Sequence, residues 1–165
     1  MANRRTRYIA LLRGINVTGK NKIPMAGLRS LCSKIGCEEV NTYIQSGNVV
    51  CVSTMKSESL ETRIEKAISR EFGFAIPVIV RTAPDWERYV KGNPFQKEAK
   101  KEANWVLLCL SKCPPNTKAA SELQKIATQG ERVVKKGDAI WIHYAKGIAR
   151  SKLTPAVLDR HAGSP

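Results

Sequence analysis

Thr42-Tyr43-Ile44-Gln45-Ser46-Gly47-Asn48-Val49-Val50-Cys51-Val52 contains two strand-like runs, Thr42–Gln45 and Asn48–Val52, around a Ser46-Gly47 pair. Apolar and β-branched residues on both sides of a glycine-bearing turn predict a β-hairpin, because glycine supplies the positive φ that tight hairpin turns need. Both flanks then change period. Upstream, Leu28, Leu31, Cys32 and Ile35 recur at helical spacing, with Pro24 placed to open that helix and Gly36 to end it. Tyr8–Leu12 precedes it as a short buried strand. Downstream, Ser57 can cap a second helix whose Leu60, Ile64, Ala67, Ile68 and Phe72 form one stripe before Gly73. Ala75–Val80 follows as a fourth strand, and Pro77, which cannot donate to a ladder, assigns it to an edge.

The order is βαββαβ, the split βαβ or ferredoxin-like arrangement. A helix from Thr82 and Pro84 to Gly92 and a lysine-bearing connection, Asn93–Lys101, lead into a second half. There, strand Trp105–Leu110, a Pro114-Pro115 loop, helix Asn116–Gln129, strands Arg132–Lys135 and Ala139–Tyr144, and a helix opening at Thr154-Pro155 repeat the plan. Ile44–Val52 set on Val134–Ile142 brings apolar, turn and glycine positions together, the pattern a duplication leaves. The reading is an α+β protein with two ferredoxin-like (split βαβ) halves packed together, βαββαβ then α then βαββα. Residues 1–82 form the first half, 83–104 the helix and connection, and 105–165 the second half.

The 165 residues suffice for one ordinary domain or two small halves, and 42% apolar content can bury a core of that size. Against 14 Asp and Glu stand 28 Lys and Arg, a formal charge of +14 that attracts polyanions. Nucleic acid is therefore a candidate partner, but the cations are dispersed and favour a solvated basic surface with weak, salt-sensitive binding. Five cysteines, Cys32, Cys37, Cys51, Cys109 and Cys113, include no CxxC pair, so no metal site and no cofactor are expected and the thiols are read as reduced. Arg13 ends the N-terminal apolar run short of a secretory core, and no stretch spans a membrane. The expected setting is cytoplasmic.

The densest polar cluster is Arg13-Gly14-Ile15-Asn16-Val17-Thr18-Gly19-Lys20-Asn21-Lys22, between the first strand and first helix. Unpaired N–H groups at a helix N-terminus carry partial positive charge and hold phosphates or carboxylates, here with help from Arg13 or Lys22. Chain topology brings the Ser46-Gly47 hairpin to the same end of the sheet. The candidate ligand-binding residues are thus Arg13, Gly14, Asn16, Asn21, Lys22, Gln45, Ser46, Gly47 and Asn48, with Ser151 and Lys152 added from a later motif. Against this stands a scaffold reading, in which asparagines and glycines satisfy turn geometry. Gly14–Lys20 approaches a P-loop, but Asn21 replaces the magnesium-binding hydroxyl residue and Pro24 delays the helix. His143 and His161 have no nucleophile or carboxylate partner in sequence, and His143 should share a sheet face with Trp141, opposite Ile140 and Ile142. Trp86, Trp105 and Trp141 read as packing residues, and Asn48–Val52 has no exposed aromatic of the RNA-recognition type.

Tyr8–Val17, Asn21-Lys22-Ile23-Pro24-Met25 with Leu28, and Thr42–Val50 closely resemble the bacterial domain of unknown function 1697 family. Asn93-Pro94-Phe95 and Ser151-Lys152-Leu153-Thr154 are similar to its later motifs, so the resemblance covers residues 7–158. It implies two α+β halves and no established activity. The resemblance implies a continuation into a Thr-Ala-Arg-Asn-Trp-like segment, whereas this chain stops at His161-Ala162-Gly163-Ser164-Pro165, so the C-terminal half is read as either truncated or naturally divergent. Function is read as a binding module for an anionic small molecule. The alternatives are a metal-free enzyme on a phosphorylated or carboxylated compound, with Lys22 or Lys152 stabilising charge and Glu38, Glu39 or Asp138 as the nearby acids, and a nucleic-acid-binding protein.

Overall fold

Alternation in the first strand seeds the first sheet. In β1 (Thr6–Leu12), Tyr8, Ala10 and Leu12 enter the core while the residues between them face the other side. A computed structural model describes residues 4–17 and 19–163 of the protein, which fall into two units, Met1–Arg88 and Tyr89–Pro165. Two antiparallel sheets and six α-helices make it an α+β protein among the described residues.

In the first unit β1 is followed by α1 (Met25–Lys34), β2 (Glu38–Tyr43), β3 (Asn48–Ser53), α2 (Ser57–Phe72) and β4 (Val78–Thr82), with sheet order β2-β3-β1-β4. Leu28, Leu31 and Cys32 of α1 and Leu60, Ile64 and Ile68 of α2 meet Val49, Cys51, Val78 and Val80 in one core. Gly36 and Gly73 follow the two helices at φ of 95° and 78°, where a side chain would be strained.

Several boundaries move. The hairpin turn is four residues, Ile44–Gly47, because Ile44 leaves the extended region at φ 51° and β2 ends at Tyr43. The early part of β2 carries a bulge, with Glu39 at φ 51°. Pro24 is the N-cap of α1, and Lys56 takes that place in α2, so Ser57 is helical and gives no side-chain cap. β4 starts only after Pro77, at the edge where a missing N–H is tolerated. Its outward N–H groups are covered by the carboxylates of α2: Val80 donates to Glu61 at 2.8 Å and Val78 to Glu65 at 2.9 Å.

The next helix, α3 (Ala83–Gly92), contains the boundary between the units. The second unit then holds α4 (Gln96–Lys101), which replaces part of the expected connection, a 3₁₀ turn at Ala103–Trp105, β5 (Val106–Cys109), α5 (Ala119–Ile126), β6 (Arg132–Lys136), β7 (Ala139–His143) and α6 (Pro155–Ala162). Strand order is β5-β7-β6. α5 is shorter than the Asn116–Gln129 helix read from sequence, since the Asn116 side chain accepts the Lys118 N–H and forms a turn there. Thr154 caps α6, its hydroxyl accepting from Val157 N.

The residue-by-residue match of the two hairpins does not survive. Gly47 closes a four-residue turn, whereas Gly137 opens the two-residue turn between Lys136 and Ala139. Core residues Val49 and Cys51 were set against Ala139 and Trp141, yet Ile140 and Ile142 join the core of the second unit. An odd offset inverts the inside–outside alternation of a strand. His143 does lie with Trp141 on the face away from Ile140 and Ile142. It contacts the Phe95 ring at 5.7 Å, and its Nδ1 lies 3.3 Å from Arg132.

Candidate functional site

The chain leaves β1 through Arg13, whose N–H donates to Pro77 O at 3.1 Å, and Gly14, at φ 71°. Ile15 then turns inward and is buried beneath the hairpin. Asn16 does most of the fastening. Its amide nitrogen donates to Ile23 O at 3.0 Å and to Gln45 O at 2.9 Å, while its carbonyl accepts Ile23 N at 2.9 Å. Asn16 and Asn21 both occupy the left-handed region, which asparagine tolerates better than most side chains, and Asn21 Nδ2 donates to Gly14 O. Val17 and Lys20 form a small bridge within the loop; Thr18 lies outside the described residues.

Gly47 locks this loop to the hairpin. Its carbonyl accepts Leu12 N at 3.1 Å, and a Cβ placed there would lie 2.5 Å from Ile15 Cδ1. The Asn48 side chain donates to Ser46 Oγ and Tyr43 O, holding the turn from within. Between loop and turn lies a groove of about 520 Å³ lined by Asn16, Gly19, Lys22, Ile23, Pro24 and Gln45. Of the residues read from sequence, Asn16, Lys22 and Gln45 therefore meet in one concavity. Arg13, Gly14, Asn21, Ser46, Gly47 and Asn48 form its supports and do not line it.

The electrostatics are one-sided. Lys22 is exposed and makes no ion pair among the described residues. Pro24, the N-cap of α1, provides no side-chain cap and the first turn has no acid, so the leading N–H groups of the helix are open beside the groove. No carboxylate, His or Cys is among the lining residues. The acids near it in sequence serve elsewhere: Glu38 pairs with Arg5, Glu39 accepts from Arg7 at 2.6 Å, and Asp138 accepts the Tyr89 hydroxyl at 2.6 Å. No cluster of three or more His, Cys, Asp or Glu suited to a metal occurs among the described residues.

Ser151 and Lys152 belong to the second unit. The Ser151 hydroxyl donates to Glu131 and accepts Leu153 N, a turn-fixing arrangement that uses its one donor. Burial resists ionisation of Glu131, but Ser151 and backbone N–H groups, including Gln129 N at 2.7 Å, outweigh it and hold the carboxyl below its ordinary range. Lys152 is exposed.

Sequence reasoning missed Gly19, Ile23 and Pro24 as groove walls. It also missed exposed apolar residues of the loop and hairpin: Val17, Tyr43 and Ile44 are 56%, 70% and 61% exposed, values that mark them off from the apolar residues beside them. The signal available was the unbroken Tyr43-Ile44 pair entering a turn.

A family model matches residues 5–141, spanning the loop, the hairpin and most of the second unit. The chain belongs to the family described as protein of unknown function (DUF1697). Within that family frame the match ends before Ser151-Lys152. No curated protein matches the chain. Among solved structures it is similar to the conserved bacterial protein SP0830 from Streptococcus pneumoniae, at 26% identity and a TM-score of 0.70, over 87% of this chain and 79% of that one. In this DUF1697 chain no helix of the described residues is long and apolar enough to cross a membrane.

Proposed function

We propose that the protein is a binding module for an anionic ligand, held in the groove between the 13–23 loop and the Ile44–Gly47 turn. The observation that carries this is that the unpaired Lys22, Gln45 and Pro24, the residue before the uncapped first turn of α1, line one concavity without a carboxylate. A phosphate or carboxylate there would be met by a cation, an amide and helix N–H groups at once. Asn16, Asn21 and Asn48 act as scaffold, since their amide groups are engaged by the backbone or by Ser46. Gly19 and Gln45 complete the wall, and exposed Val17, Tyr43 and Ile44 provide apolar contact for whatever bears the anion.

With no carboxylate, His or Cys among the lining residues, Lys22 has no acid–base partner in the groove, which favours binding over catalysis. The same reading makes each unit ferredoxin-like. Its support is the strand order β2-β3-β1-β4, of which the second unit's β5-β7-β6 repeats the β1-β3-β2 part. Free thiols at all five cysteines support a reducing, cytoplasmic setting.

Calorimetric titration with inorganic pyrophosphate tests the site. Lys22→Ala should weaken binding by about 10- to 150-fold, the worth of one charge-assisted contact at about 1.5–3 kcal/mol, with the thermal midpoint unchanged. Lys125→Ala, at an exposed position of α5 in the second unit, should bind as the wild type does. Equal affinities for wild type and Lys22→Ala would refute the site.

A further inference from the structure

Most acids of the first unit that lie near a cation pair with it. Arg5 and Arg7 meet Glu38 and Glu39, Lys34 meets Glu71, Arg81 meets Glu61 and Arg88 meets Asp85. One row of cations is left over. Arg63, Lys66 and Arg70 of α2 are exposed and make no ion pair among the described residues. They recur at i, i+3 and i+7, so they share one face of the helix, next to the buried stripe of Leu60, Ile64 and Ile68. Ser59 and Thr62 extend that face toward the helix N-terminus.

This face is concave. With Ile35 at the end of α1 and Ala67 as apolar floor, it lines a groove of about 690 Å³ in which Glu58, at one end, is the single acid. The three cations span about 10 Å of helix at 1.5 Å per residue, a length over which a duplex, with one negative charge per about 1.7 Å of its axis, presents several phosphates. None of the lining residues is aromatic, so the groove has no platform on which unpaired bases could stack. A surface that contacts phosphates alone favours the partner with the higher charge density, which is the double helix.

We infer that the α1–α2 groove is a docking surface for the phosphate backbone of double-stranded nucleic acid, separate from the small-anion groove at the loop and hairpin. Binding there is indifferent to base sequence and falls steeply with salt, since its energy comes from counterion release. Charge at one place, and not the +14 field as a whole, sets the affinity.

Fluorescence anisotropy with a labelled 20-base-pair duplex, titrated over a range of salt concentrations, tests this with three variants. The triple substitution Arg63→Ala, Lys66→Ala and Arg70→Ala should reduce the slope of log K against log salt by about 2.7, at about 0.9 per phosphate contact. Lys97→Ala, Lys100→Ala and Lys101→Ala remove the same charge from exposed positions of the second unit and should change the slope by less than about 0.5. Arg63→Lys with Arg70→Lys retains the charges and should retain binding, which separates loss of contact from loss of fold; the thermal midpoint of each variant provides the same check. Lys22→Ala should leave duplex binding intact, so failure here and failure of the loop site are distinguishable. Equal losses in the two alanine triples would assign the binding to diffuse charge and overturn the inference. So would equal displacement by poly-glutamate at matched charge, which would point to an acidic protein, or tighter binding of a single strand than of the duplex.

Discussion

Replacing Gly47 by alanine probes the joint between hairpin and loop more sharply than any change to a polar residue. Gly47 sits at φ 81°, where an L-residue loses roughly 1–2 kcal/mol. The added Cβ would also lie 2.5 Å from Ile15 Cδ1 and 2.9 Å from Leu12 Cβ, well inside the 3.5–4.0 Å of an ordinary carbon contact. Neither neighbour can move freely. Leu12 Cβ is fixed to β1, and Ile15 is 2% exposed, so its methyl has no solvent to enter. Overpacking of this kind costs roughly 1–3 kcal/mol, which with the conformational part sums to about 2–5 kcal/mol. For a chain of this size the thermal midpoint should fall by about 2–4 °C per kcal/mol. Gly14→Ala is the control: φ is 71°, but nothing lies within 4 Å of the added Cβ, so it should cost only the conformational part. Urea unfolding of both variants, with midpoints compared at constant slope, is the assay. If Gly47→Ala is no more destabilising than Gly14→Ala, the close contact of turn and loop is not the constraint inferred here.

Glu61→Ala removes the acceptor of Val80 N and the partner of Arg81, both largely buried, and should destabilise by about 3–5 kcal/mol; Glu61→Gln, which keeps an acceptor, should recover part of that in the same denaturation experiment. In native protein one thiol of the five, exposed Cys113, should react promptly with a disulfide reagent, because burial pushes Cys32 up to about 12 and Cys109 up to about 11, while Cys37 and Cys51 are covered by the core. Two or more fast thiols would contradict that packing. Glu131 and Asp85 titrate below their unfolded values of 4.5 and 3.8, despite burial, because hydrogen bonds favour their charged forms. Both therefore stabilise the fold above those values and lose that contribution as pH falls through the lower folded ones. The thermal midpoint should drop on acidification in that range, and Glu131→Gln should melt lower at neutral pH with a shallower acid slope.

Much of the architecture was legible because apolar spacing differs between strand and helix. The stripe Leu60-Ile64-Ile68 points to the core as expected, the short strand from Tyr8 is there, and Gly36 and Gly73 end their helices. What escaped the reading was set by tertiary contacts. The turn at Ile44–Gly47 is longer than a Ser-Gly signal implies because Ile44 adopts a positive φ that no local propensity favours. The likeness of the two hairpins matched glycines but not the alternation that burial enforces. At the candidate site, the polar motif and the hairpin turn do border one groove, while the sequence blurred the roles of their side chains. Asn16, Asn21 and Asn48 look like ligands in sequence and act as fasteners in the fold, and Ser151 fastens a turn in the other unit. A carboxamide that bonds backbone and one that faces a ligand are the same letter in a sequence.

The central claim, an anion held between the loop and the hairpin turn, is tested most directly by mapping amide chemical shifts while the ¹⁵N-labelled protein is titrated with inorganic pyrophosphate. The predicted result is a saturable set of shifts at Gly19, Lys22 and Gln45 and along the first turn of α1, Met25–Gly27, lost on Lys22→Ala. Shifts that leave those amides untouched, or that persist unchanged in Lys22→Ala, would contradict it.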